Sequence, residues 1–327
     1  MALAAGSSSS MIKSRAYIRR LNWEVLLVTI SVLGLLSTQA TAASFDCKKA
    51  TTKFEKTVCA NPELSQLDEE MAKAYHEALT SLSSEGQKET KDYQKQWLKK
   101  VSSFSKKGIK NGYEERIKQL QQCLIKFPDR TFRNVYVTYF FKTDEKCSLD
   151  YARYLTYPQI ENPRDENEKA WNNFLFKEAT NFTPDEDCQQ IHDSYTVSFS
   201  NKHLISVKYS NFTYTEGAPM PAQAGAEGLS WLLKSRRELK VEDLFNEKVD
   251  WRNKIRELAI QQMENHEDSE ELKQIIESPS DWEISKDGLG FLSFFNAAGY
   301  GTDPFVVIKW KTLEPYLSKD GRSLISD

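Results

Sequence analysis

ISVKYSNFTYTEGAPMPAQAGAEGLSWLLKSRRELKVEDLF, residues Ile205 to Phe245 of a 327-residue chain, decides how the rest is read. Ile205, Val207 and Tyr209 sit two apart and fall on one face of a pleated strand. Between Tyr214 and Gly228 the chain collects Gly217, Gly225, Gly228, Pro219 and Pro221. Glycines permit unusual backbone angles and prolines bar a hydrogen-bonded ladder, so these residues predict a large irregular loop. Trp231 to Leu233 resumes an apolar run, Lys234-Ser-Arg-Arg237 reads as a polar reversal, and Leu239, Val241, Leu244 and Phe245 close the stretch. A loop held between strands is a common place for binding, because the scaffold fixes what the loop presents.

Outward from this stretch, the neighbours alternate between strand and helix patterns. Tyr195, Val197 and Phe199 pair with Ile205, Val207 and Tyr209 across the turn Ser200 to His203. Trp171 to Ala179 reads as a short helix, and Phe132 to Phe141, dense in aromatic and branched residues, as a strand. On the other side, Trp251, Ile255, Leu258, Ala259 and Gln262 describe an amphipathic helix. Phe127-Pro128-Asp129 marks a boundary. Before it, Leu64, Leu67, Met71, Ala74, Tyr75, Ala78 and Leu79 recur at three and four, and further helices are expected over Tyr93 to Val101 and Gly112 to Ile125. Asn61 followed by Pro62 is a helix start. The fold class is therefore α+β: a small disulfide-clipped helical bundle, 44–127, then an α+β domain with an antiparallel sheet, 128–327.

The beginning of the chain has the three parts of an export leader. Residues 1–10 read as an extension before Met11. Lys13, Arg15, Arg19 and Arg20 precede the apolar run Val25 to Leu36, and small residues end at Ala42-Ala43. The run is too short to favour a spanning helix, so a signal peptide over 1–43 is expected, with an uncleaved anchor as the minor alternative. Export into an oxidising compartment makes disulfides the expectation for the five cysteines. Cys47 and Cys59 are the expected couple. Cys147 and Cys188 form the expected second bridge, with Cys123–Cys147 as its rival, and the remaining Cys123 is expected buried rather than paired between chains. Residues 44–127 hold 16 basic and 12 acidic residues, and residues 128–327 hold 24 against 34. An acidic second domain steers toward basic partners and away from nucleic acid.

Two resemblances follow from residues already quoted. Tyr214-Thr215-Glu216-Gly217-Ala218-Pro219, then Trp231, then Leu239 to Phe245, together with Tyr157-Pro158 and Ile160, resemble the domain of unknown function in the outer portion of the lysozyme-sensing anti-sigma factor RsiV and in some bacterial polysaccharide deacetylases. The histidine of that family's loop is missing, Glu216 replaces one of its glycines, and Asn296 to Pro304 matches its last loop in part. Phe45-Asp46-Cys47, Ala50, Glu55, Cys59, Leu64, Leu67-Asp68, Tyr75, Gln96-Trp97-Leu98 and Tyr113 to Ile117 are similar to the LprI-type lysozyme-inhibitor domain, over about 80 residues. Members of that family commonly carry further cysteines between the Trp-Leu pair and the Tyr-x-x-Arg helix; Val101 to Gly112 has none.

Traces of chemistry are poor. His76, His192, His203 and His266 lie in no metal-binding spacing, and no nucleophile elbow, P-loop or dinucleotide fingerprint occurs. No catalytic residue, metal or cofactor is expected. What the resemblances imply is a periplasmic or secreted bacterial protein that binds a lysozyme-type muramidase and occludes its cleft, such enzymes working with a carboxylate pair in a groove. The contacts assigned are Tyr214, Glu216, Gly217, Pro219, Met220 and Tyr300. The alternative is a peptidoglycan- or carbohydrate-binding accessory module, with Trp231, Trp251, Trp282 and Trp310 as sugar-stacking residues if exposed. Pro and Gly also mark ordinary turns, so a loop that merely closes the sheet is the plain competing account.

Overall fold

The helical region begins at a covalent clip. The computed structural model describes residues 43–140, 152–182, 189–218, 222–263, 270–292 and 302–326. Cys47 is joined to Cys59 as expected, their Cα atoms 5.7 Å apart. Within the clipped loop, helix α1 (Lys53–Cys59) starts on a capping box in which Thr52 and Glu55 satisfy each other's backbone amides. Helix α2 (Pro62–Ser81) starts where Asn61-Pro62 predicts, the Asn61 side chain accepting from Glu63 and Leu64. Helices α3 (Ser84–Val101) and α4 (Lys106–Gln121) begin earlier than the apolar spacing suggested, because Ser83 and Ser105 cap polar first turns. Val58, Leu64, Met71, Ala74, Val101, Ile109, Tyr113 and Leu120 form the core between them. Buried Asp68 accepts from the Tyr113 hydroxyl at 2.7 Å and from both the amide and hydroxyl of Ser44, tying the start of the described chain to α2 and α4. Cys123 is a buried free thiol.

Helix α4 stops at Gln121 rather than Ile125. Leu124–Lys126 is strand β1, paired antiparallel with β2 (Thr131–Phe140), Ile125 opposite Phe132. The boundary expected at Phe127 thus falls inside a hairpin, and the helical region runs directly into the sheet. Strands β3 (Ala152–Ile160), β4 (Gln189–Ser200), β5 (Leu204–Thr215), β6 (Ala222–Leu232) and β7 (Arg237–Glu238) follow in spatial order. The sheet is mixed where an antiparallel one was expected. β3 and β4 run parallel, Ala152 opposite Gln190. A parallel pair requires a crossover, which helix α5 (Glu166–Thr180) supplies. It packs Trp171, Leu175 and Ala179 against Leu155, Val197 and Val207. The β4–β5 hairpin has the predicted register, Tyr195 opposite Tyr209 and Val197 opposite Val207, with a bulge before Phe199.

The C-terminal part builds its own core on the other face of β5 and β6. Short helix α6 (Val241–Leu244), α7 (Trp251–Gln262) and α8 (Glu270–Glu277) precede an antiparallel sheet of β8 (Trp282–Ile284), β9 (Gly288–Phe291) and β10 (Val306–Lys309). Helices α9 (Trp310–Leu313) and α10 (Lys319–Ile325) finish the chain. Leu204, Leu232, Phe245, Trp251, Trp282 and Phe291 meet in this core. At Gly228 the two layers touch so closely that a Cβ would lie 1.6 Å from the Trp282 carbonyl oxygen. Only glycine fits there.

The helical region is fastened to the sheet by charge. Arg133, fully buried on β2, meets Glu89 at 2.9 Å and Glu85 at 3.4 Å on α3, and Glu161 at 3.1 Å after β3. Glu161 also accepts from the Ser83 amide. Asn134 donates to the Gln122 carbonyl, and the Tyr136 ring lies tilted against Tyr93 at 5.9 Å.

Candidate functional site

The loop expected over Tyr214 to Gly228 is a hairpin. Ala222 to Gly228 are residues of β6, paired opposite Lys208 to Tyr214 of β5, so among the described residues only Glu216, Gly217 and Ala218 lie between the two strands. The small residues that signalled a loop serve close packing instead: Ala226 is buried, and Gly228 lies beneath β8. Of the assigned contacts, Tyr214 is half-buried in the last pair, opposite Ala222, and Glu216 and Gly217 form the turn. Gly217 has φ +79°, the left-handed region that favours glycine, and nothing lies within 4 Å of where its Cβ would be. Pro219, Met220 and Tyr300 lie outside the described residues, as do Cys147, Cys188, His266 and residues 1–42.

The segment Asn296 to Pro304, which carries Tyr300, does not meet this tip along its described residues 302–304. Asp303 bonds Lys208 at 3.1 Å. Lys208 precedes Tyr214 by six positions, about 20 Å at the rise of an extended strand. His192, Asp193 and His203, close in sequence around the β4–β5 turn, are not brought into one cluster. His192 and Asp193 point to opposite faces of β4, and His203 stands in the turn before β5. Trp251 and Trp282 are fully buried, Trp231 stacks on Phe174, and half-buried Trp310 donates to the Ser285 carbonyl.

Two features of the face were not read from the sequence. On the α5 side, buried Asp193 accepts from Arg153, from the Tyr209 hydroxyl at 2.8 Å and from Asn211 at 2.6 Å. Burial, and then the neighbouring carboxylate, push the Tyr209 phenol well above its ordinary range. This cluster locks the central strands beneath the tip. On the opposite face, Thr138, Tyr154, His192 and Phe212 are successive cross-strand partners and form one row. His192 stacks on Tyr154 at 4.7 Å, and Phe212 is 45% exposed. Among the described residues no group of three or more His, Cys, Asp or Glu side chains could hold a metal ion, and no helix is long and apolar enough to cross a membrane.

No curated protein matches the chain. Among solved structures, a DUF3298 family member from Bacteroides fragilis is similar at 15% identity, covering 58% of this chain and 94% of its own, with a TM-score of 0.39. A DUF3298 family protein from Pseudomonas aeruginosa is similar at 10% identity, covering 59% of this chain and 96% of its own, with a TM-score of 0.37. Residues 47–124, the clipped helical region with the first residue of β1, match the family described as Lysozyme inhibitor LprI.

Proposed function

We propose that this is an exported cell-envelope protein that binds a lysozyme-type muramidase and occludes its catalytic cleft. The observation that carries the reading is the match of residues 47–124 to a family of lysozyme inhibitors. In this reading a leader over 1–43 is removed, the protein acts in the periplasm or outside the cell, and residues 44–127 and 128–327 are two domains, the second of RsiV type. A second bridge joins Cys147 to Cys188. The protein needs no cofactor and performs no reaction of its own.

The contact is assigned to the β5–β6 tip: Tyr214, Glu216, Gly217, Pro219 and Met220, with Tyr300. What supports this assignment is the open space around Gly217 and a paired ladder beneath it, which gives a protruding turn a stiff base. The acidic balance of residues 128–327 favours encounter with a basic enzyme. The wall-binding alternative draws no support from Trp231, Trp251 and Trp282, which are core residues.

The test is inhibition of a c-type muramidase by Glu216→Lys and Tyr214→Ala proteins. The native protein inhibits, and each variant weakens inhibition about tenfold, roughly 1.4 kcal/mol, at unchanged thermal stability. Inhibition unaltered by both changes would remove the tip from the interface.

A further inference from the structure

A cleft of 390 Å³ opens where α3 and α4 meet β2 and β3, away from the hairpin tip. Its size falls within the range of small-molecule sites, and like them it combines aromatic walls with a few polar groups. Trp97 and Phe104 form the helical wall, and Tyr154 the sheet wall. These rings are held in place. Trp97 meets buried Tyr113 edge-on at 5.4 Å. Tyr154 is stacked on His192 and has the Lys100 ammonium 4.3 Å from its ring centre. Gly112 lets α4 approach the end of α3: a Cβ there would lie 2.9 Å from Val101. Exposed Gln96 and Asn111 stand at the mouth, where Lys100 and Glu115 supply one charge of each sign.

We infer that this cleft binds a neutral chain of N-acetylated amino sugars. The lining selects the class by what it would leave unsatisfied. A lipid tail would cover the amides of Gln96 and Asn111 without pairing them, and a buried unpaired polar group costs about 1–3 kcal/mol. A phosphate-bearing ligand would find a single ammonium with a carboxylate beside it, whereas phosphate recognition rests on several cations. An acetamido group both donates and accepts, as the two side-chain amides do, and its methyl and the sugar's C–H faces suit the aromatic walls. The mouth continues along the row Tyr154, His192 and Phe212, two strand spacings or about 10 Å, which gives a chain room for more than one ring. The inference does not depend on muramidase inhibition, because the residues that line the cleft lie on the helical region, β2 and β3, and only Phe212 at the far end of the row, two positions before Tyr214, approaches the hairpin tip.

Calorimetric titration of the full-length protein with N-acetyl-chito-oligosaccharides, and separately with peptide-free bacterial wall glycan, tests it and distinguishes the two sources. Native protein binds at least one of them. Trp97→Ala weakens binding at least tenfold, and Gln96→Ala/Asn111→Ala, which leaves the walls and the core untouched, does so by about fivefold or more. Glu216→Lys leaves sugar binding unchanged. Lack of heat with both glycans at millimolar concentration, or binding that survives the double amide substitution, overturns the inference.

Discussion

Replacing Arg133 by methionine tests how the helical region and the sheet are held together. Arg133 is fully buried and faces three carboxylates of unequal weight. The Glu85 side chain is 66% exposed, so water already screens it and its pairing contributes little. Glu161 is 5% exposed, and without Arg133 it keeps only the Ser83 amide. Removing one partner of a buried pair costs about 3–5 kcal/mol, because the remaining charge stays buried and unpaired. Removing both costs less, so Arg133→Met/Glu161→Gln recovers part of the loss, a coupling of about 1–3 kcal/mol in a double-mutant cycle. The measurement is urea unfolding followed by tryptophan fluorescence and by far-ultraviolet circular dichroism. The two probes coincide in the native protein and separate in Arg133→Met as the helical region loosens from the sheet. A loss under about 1 kcal/mol with coincident transitions would refute the reasoning, placing the fastening in the contacts of Tyr136 and Asn134 instead.

Three further outcomes follow from the same structure. Reducing Cys47–Cys59, which closes a separation of 12 residues, lowers stability by about 3 kcal/mol in the chain-entropy model, checked by thermal unfolding with and without reductant. Gly228→Ala drives a methyl into the Trp282 carbonyl and costs about 3 kcal/mol, whereas alanine at Gly217, where space is open, is limited to the cost of its left-handed backbone. Asp243 receives two hydrogen bonds from Arg237 at 2.6 and 2.7 Å, and these hold its carboxyl below the ordinary aspartate value of 3.8. Its folded form therefore favours the charged state, and the stability it contributes is full above that value and lost as pH falls through the lowered one. Asp243→Asn is accordingly less stable than the native protein at pH 7, and the gap narrows as pH falls through the lowered value; a constant gap across the range would contradict the pairing.

How much of this was legible depended on whether the signal was local. Asn61-Pro62 carries its own cap and turn chemistry, so the start of α2 could be read in place. Tyr195, Val197, Val207 and Tyr209 announce a hairpin because alternation and a short turn fix register within a few residues. Ala222 to Gly228 misled for a physical reason: small residues demanded by the closeness of β8 look the same, in one dimension, as small residues in a loop. The parallel pairing of β3 with β4 depends on α5 returning across the sheet, and nothing in either strand records it. Arg133 and Arg153 sit in strands as isolated charges, and their partners lie tens of residues away. Glu216 and Gly217 stand in a turn, where a glycine signal is local, but the cleft between α3, α4 and β3 is assembled from residues that no spacing connects.

The central claim is that this protein stops a muramidase without chemistry of its own. Lysis of purified cell walls by a c-type muramidase, measured with increasing amounts of the purified protein, tests it most directly. The account predicts a fall in rate that saturates at one protein per enzyme and leaves the protein intact. Full lytic activity at a large excess of protein, against every lysozyme-type enzyme tried, would contradict it.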